Sequence, residues 1–166
     1  VRKLGINSDS VIVIYDDVGL YSSPRAWWML RAMGHEQVAV LDGGLRAWIA
    51  AGFATTDSLQ LNSTAGNFEA NYEEGSFCDF SVVLSSIDDA SCAILDARSS
   101  GRFHGTAPEP RAGIRGGHMP SARNLPFPKL LNEGSMKPVA GFMRLPEKLP
   151  WILPRKSQVG TAIISG

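Results

Sequence analysis

Charge imbalance, abundant cysteine and long apolar runs are all missing from this sequence. Lys plus Arg and Asp plus Glu each number 16, so the formal net charge is zero. That balance gives neither nucleic acid nor an anionic membrane an electrostatic footing as a partner. The two cysteines, Cys78 and Cys92, are too few for a disulfide framework. They stand fourteen positions apart with no His or further Cys close by, so they also lack metal-ligand spacing. We expect both to be structural, acting as small buried hydrophobes, and take a reducing compartment, the cytoplasm, as their setting. No apolar run approaches the roughly 20 residues that span a bilayer.

What is present is ordinary for a globular protein: 44% hydrophobic and 19% charged residues over 166 positions. That is enough chain for one full domain or two small ones. Val11-Ile-Val-Ile-Tyr15 is a continuous β-branched run, which predicts a strand covered on both faces of a parallel sheet. A polar turn leads to a helix from Pro24 to Met33, with Ser22 or Ser23 as its cap and Gly34 as its exit. Val38-Ala-Val-Leu41 is a second strand, and a short helix from Leu45 to Ala51 follows Gly43-Gly44. A glycine pair after a strand hints at phosphate binding, but no fuller fingerprint accompanies it. Strand and helix alternating through tight loops is the pattern of an open α/β sheet.

From Ala54 to about Glu74 the composition turns to Thr, Ser, Asn and Gly, as in a linker crossing a surface. A second unit begins near Phe77 with a helix expected to reach Asp88 or Asp89. Strand Ala93-Ile-Leu-Asp96 comes next, then a loop rich in Gly, Pro and Arg from Ser99 to Ser121. Asn124-Leu-Pro-Phe127 predicts a brief buried return. Lys129 to Pro154 is irregular, interrupted by Pro146, Pro150 and Pro154, before a last strand from Ala162 to Ser165. The chain opens on Val1-Arg-Lys-Leu-Gly without a lead-in and closes on a strand barely finished, so we expect both ends to be cuts within a longer chain.

Two dense motif sets carry a resemblance. Asp96-Ala-Arg-Ser-Ser-Gly-Arg-Phe-His-Gly-Thr-Ala-Pro-Glu-Pro-Arg111, with Gly117-His-Met-Pro-Ser-Ala122 and Asn124-Leu-Pro-Phe127, resembles the second domain of tandem rhodanese sulfurtransferases. Ser23-Pro-Arg-Ala-Trp-Trp-Met-Leu-Arg, Gly34-His and Val40-Leu-Asp-Gly-Gly-Leu-Arg-Ala-Trp48 are similar to the closing half of that family's catalytically silent first domain. The resemblance implies an α/β protein of two rhodanese-like open-sheet domains, each only partly present. Residues 1–53 would be the C-terminal half of the first, 54–76 a linker, and 77–166 the N-terminal part of the second, catalytic domain.

The family's nucleophilic cysteine follows directly on a strand, in a loop that opens a helix. Successive N–H groups there lower a thiol's pKa and hold a persulfide. Ala162-Ile-Ile-Ser165 is similar to that strand, so the cysteine is expected just after Gly166 and no catalytic residue within this stretch, which should be inactive alone. The resemblance further implies Arg102 and Arg111 as substrate-binding residues, since the mercaptopyruvate branch sets two arginines nine positions apart in its Gly-Arg-Phe…Pro-Glu-Pro-Arg segment. A guanidinium fork suits an α-keto carboxylate; the plain alternative is a pair of surface arginines on a Pro-rich loop. Asp96 is expected as active-site support, either accepting N–H bonds from the catalytic loop or capping its own turn. His118 and His35 are expected to be structural, and Trp27, Trp28 and Trp48 to pack. Ser121 stands where relatives usually carry glycine, so that turn is expected to differ in backbone geometry.

The implied activity is sulfur transfer from 3-mercaptopyruvate to a thiol or cyanide acceptor through a cysteine persulfide. No metal or organic cofactor is implied. The partners would be small molecules, not nucleic acid or membrane. The near alternative is thiosulfate as donor, and the rival of another class is a non-enzymatic rhodanese-like binding module.

Overall fold

The computed structural model of the chain describes residues 1–59 and 64–138, together with the backbone of 162–165. Most of the stretch expected to be irregular, from 139 onward, lies outside the described residues, as do the side chains of the last strand. The chain divides into two compact units, Val1–Phe77 with Glu133–Met136, and Cys78–Asn132 with Lys137–Gly166. No helix among the described residues is long and apolar enough to cross a membrane.

The first unit is a β-α-β-α run: β1 (Ile12–Ile14), α1 (Ser23–Ala32), β2 (Val38–Val40) and α2 (Gly44–Ala50). β1 and β2 are parallel, with Val13 opposite Ala39, and α1 packs against both. The expectation of a strand covered on both faces does not hold. Ile12 and Ile14 are half-buried, whereas Val11, Val13 and Tyr15 are 76%, 57% and 58% exposed. Among the described residues β1 pairs with β2 alone, and the alternate positions Val11, Val13 and Tyr15 form an exposed face.

The cap of α1 is also not a neighbouring serine. Ser22 occupies the N-cap position without a side-chain hydrogen bond. Asp16 does the work instead: its Oδ2 accepts from the backbone N–H groups of Tyr21, Ser22 and Ser23 at 2.8, 2.8 and 3.0 Å, and from the Ser23 hydroxyl at 3.0 Å. The Ser22 and Ser23 N–H groups are donors the helix itself leaves unpaired. Gly44 has φ +59, and a Cβ there would lie 2.4 Å from the Asp16 carbonyl oxygen. Gly44 thus serves the close approach of the Asp16 backbone.

Within the stretch expected to be a surface linker, residues 66–73 are tied to the first unit. Gly66 N–H donates to Arg2 O, Phe68 N–H to Ile6 O, Asn71 N–H to Met33 O and Glu73 N–H to Ala32 O. Phe68 is buried and meets the edge of His35, itself 1% exposed. His35 Nε2 donates to Ser10 O at 2.8 Å, while its backbone N–H caps α1 by donating to Leu30 O. A polar composition suggested a free crossing because backbone-to-backbone strapping leaves no mark on side-chain type.

The second unit begins with α3 (Phe80–Ser86), shorter than expected. Asp79 starts it by accepting from Val82 N–H at 3.0 Å. Asp89 belongs to a separate turn, accepting from Ser91 N–H at 2.8 Å. β3 (Ala93–Asp96) is the centre of a parallel sheet in the order β4 (Arg123–Asn124), β3 and β7 (Ala162–Ser165). Ile94, Leu95 and Leu125 form its buried heart with Phe103 from α4 (Ser100–Phe103). Two further short strands, β5 (Leu131–Asn132) and β6 (Ser135–Met136), lie between β4 and β7 in sequence. In the register, Asp96 pairs with Asn124 on one side and Ser165 on the other. The C-terminal edge of this sheet, where an open α/β fold places its ligands, is therefore marked by Asp96.

Candidate functional site

Four charged side chains converge where β3 ends. Asp96 is 1% exposed, and both its oxygens are taken by Arg98 two residues on. Oδ1 accepts from the Arg98 backbone N–H at 2.9 Å and from Nε at 3.0 Å, and Oδ2 accepts from Nε and Nη2. Arg98 Nη2 also donates to the Gly117 carbonyl at 2.7 Å, and Nη1 to Glu109 Oε1 at 2.9 Å. Glu109 Oε2 in turn accepts from Arg102 Nε and Nη2 at 3.0 and 2.7 Å. The result is an alternating chain, Asp96–Arg98–Glu109–Arg102, whose side chains are 1%, 14%, 3% and 29% exposed. A buried carboxylate is tolerated only with such partners.

The loop is pinned from below as well. Asn124 Nδ2 donates to the carbonyls of Asp96 and Arg98 at 3.0 and 2.9 Å, and Leu125 N–H donates to Asp96 O. His118 Nδ1 donates to Phe103 O at 2.8 Å, and its ring stacks on Phe103 with centroids 3.7 Å apart. That bond ties the Gly117-His118 turn to the end of α4. At the next turn Ser121 has φ +61, in the left-handed region that glycine enters without steric cost.

Charge states follow from these contacts. Burial pushes the Asp96 carboxyl up, but hydrogen bonds and the positive charge of Arg98, with Arg102 behind it, outweigh that and hold it below the usual carboxylate range. The Arg102 hydrogen bond, aided by Arg98, holds Glu109 low against its own desolvation. The bond to Asp96 raises Arg98 further. Asp96, Glu109 and Arg98 are therefore ionised at neutral pH, and since a guanidinium in a protein always carries its charge the two positive and two negative charges cancel.

Of the residues singled out by sequence, Asp96 and Arg102 join this chain of charges, and Asp96 makes the local contact of its own turn. Arg111 lies two residues past Glu109, exposed and without an ion pair among the described residues. Cys78 and Cys92 form no disulfide and are half-buried. Cys78 precedes the cap of α3 and Cys92 enters β3 at the end opposite Asp96. Sequence inspection passed over Arg98 and Glu109. A carboxylate at a strand's end with an arginine two positions on, and a glutamate between Pro108 and Pro110 with an arginine either side in sequence, were the available signals.

Comparison with known proteins agrees with this architecture. Residues 1–51 match the family profile of the rhodanese-like domain. The chain is 41% identical over 146 residues to 3-mercaptopyruvate sulfurtransferase of Mus musculus, covering 86% of this chain and 49% of that protein. Against thiosulfate sulfurtransferase of Bos taurus it is 36% identical over 152 residues, covering 90% of this chain and 49% of that protein. The crystal structure of a 3-mercaptopyruvate sulfotransferase from Escherichia coli superposes with a TM-score of 0.74 at 34% identity, over 84% of this chain and 52% of that one. The chain thus spans about half the length of the relatives it matches. Parallel sheet, site loop and relatives over most of its length place it in one group: the chain belongs to the rhodanese family.

Proposed function

We propose that the protein carrying this chain is a sulfurtransferase that takes sulfur from 3-mercaptopyruvate and passes it, through a cysteine persulfide, to a thiol or cyanide. The observation that carries the reading is the Arg102–Arg111 segment. Among the described residues Arg102 has one side of its guanidinium engaged, by Glu109, and Arg111 is exposed close by in sequence. Two guanidinium groups on one rigid Pro-Glu-Pro loop suit the carboxylate and carbonyl of an α-keto acid. The matched 3-mercaptopyruvate sulfurtransferases support the same donor. We place the nucleophilic thiolate just after Gly166, because β7 runs parallel to β3 with Ser165 beside Asp96, so a residue following it would arrive at the edge marked by the charge chain. Asp96 then supports the site through Arg98, fixing the loop that carries Arg102.

In the reaction the thiolate attacks the sulfur of 3-mercaptopyruvate and the carbon–sulfur bond breaks. The bond pair leaves on the enolate of pyruvate, whose oxygen the arginines stabilise, and the enolate takes up the proton of the former thiol. The acceptor's thiolate or cyanide then attacks the outer persulfide sulfur, releasing the enzyme thiolate. The protein would act on small molecules in a reducing compartment such as the cytoplasm, in keeping with two cysteines outside any disulfide, and would hold two rhodanese-like repeats.

Thiosulfate is the second donor to weigh, since thiosulfate sulfurtransferases are also among the relatives. It has no α-keto carboxylate to span two arginines. Arg111→Ala should therefore reduce kcat/KM with mercaptopyruvate by about ten- to a hundredfold and affect thiosulfate much less, with Arg111→Lys recovering only part. Steady-state pyruvate and thiocyanate assays on the full-length protein decide it. Equal losses on both donors would remove the case for mercaptopyruvate.

A further inference from the structure

We propose that Glu109 is a positioning residue for Arg102, holding one edge of its guanidinium so that the opposite edge meets the substrate carboxylate. This rests on the mercaptopyruvate reading above. Arg102 Nε and Nη2 both donate to a single oxygen, Glu109 Oε2. A guanidinium has five N–H bonds; those two are consumed, which among the described residues leaves both on Nη1 and one on Nη2. The free set forms the end-on fork that grips a carboxylate through two parallel bonds.

The holder is itself held. Glu109 is 3% exposed against 29% for Arg102, and its second oxygen accepts from Arg98 Nη1. Arg98 is anchored by the Asp96 carboxylate and the Gly117 carbonyl. Prolines at 108 and 110 restrict the backbone on both sides. Arginine is a long, rotamer-rich side chain, and fixing it before substrate arrives removes an ordering cost from binding. The negative charge of Glu109 also offsets that of Arg102, so an anion gains from this arginine mainly by matching its geometry. A small dianion such as thiosulfate gains less from the fork than an α-keto carboxylate does.

The test is a double-mutant cycle in the full-length protein, read as KM and kcat for 3-mercaptopyruvate. Glu109→Gln should raise KM about tenfold with kcat little changed, and should add nothing further in an Arg102→Ala background. KM for thiosulfate should stay the same or fall, an asymmetry that general loss of structure would not produce. Glu109→Asp, which keeps the charge but withdraws it by one methylene, should give an intermediate KM and serves if the Gln variant folds poorly. Wild-type KM in both Glu109 variants, or an equal rise with and without Arg102, would overturn the role of Glu109. An unchanged KM in Arg102→Ala would overturn the substrate reading itself.

Discussion

Arg98 illustrates how much one side chain can organise. It lies two residues beyond the end of β3, yet it touches Asp96, Glu109 and Gly117 at once. Bonds to residues 11 and 19 positions away close the Gly- and Pro-rich loop into a rigid cradle, which a flexible lysine could not do with a single ammonium. The same loop carries a small strain. Ser121 has φ +61, a conformation that costs a residue bearing a Cβ about 1–2 kcal/mol, partly compensated because glycine loses more freedom on folding. Ser121→Gly should therefore stabilise the protein by about 1 kcal/mol, measurable as a higher denaturation midpoint without a change in its slope. No stabilisation would mean that the serine relieves its strain through contacts of its own.

At the level of elements, α1 shows where local rules stop. Proline in the first turn and Gly34 at the end, with φ +83, bound the helix much as those residues predict. Its cap is supplied from the end of β1. Burial pushes Asp16 up, but hydrogen bonds from the N–H groups of Ser23 and Ser22, the Ser23 hydroxyl and the Tyr21 N–H prevail and hold it well below the usual carboxylate range. Asp16→Ala should destabilise the first unit by about 1–2 kcal/mol, as for a lost N-cap, while Ser22→Ala should be nearly neutral. Thermal unfolding followed by circular dichroism separates the two; equal losses would return the capping role to the serine. Gly66 marks a second tertiary constraint, because a Cβ there would come within 1.9 Å of the Ile6 carbonyl oxygen. That strap tolerates glycine alone.

Across the whole molecule the same carboxylates couple folding to pH. Asp16, Asp96 and Glu109 all have folded-state pKa values below their ordinary ones. Their contribution to stability is fully present above the unfolded values of about 4 and is lost as pH falls through the lower folded ones. Denaturant midpoints should thus hold steady from about pH 7 to 5 and drop steeply below about pH 4. Asp96→Asn, already stripped of one of those charges, should show a shallower drop, and an unaltered slope would exclude Asp96 from the linkage. Much of the architecture was legible beforehand, because hydrophobic periodicity, glycine and proline act within a few residues: the parallel strands β1, β2 and β3, the ends of α1, and the loop bearing Arg102 and Arg111. The covering of β1, the strapping of residues 66–73 to the first unit and the partners of Arg98 were not legible. By itself the sequence determined the β1-α1-β2-α2 order and the place of β3, though not α4, β5 or β6, together with the charge balance and, through its motif segments, the family. Only the tertiary structure decided which carboxylate meets which guanidinium, because an ion pair depends on the path a loop takes and on the water excluded around it, and neither is encoded in spacing along the chain.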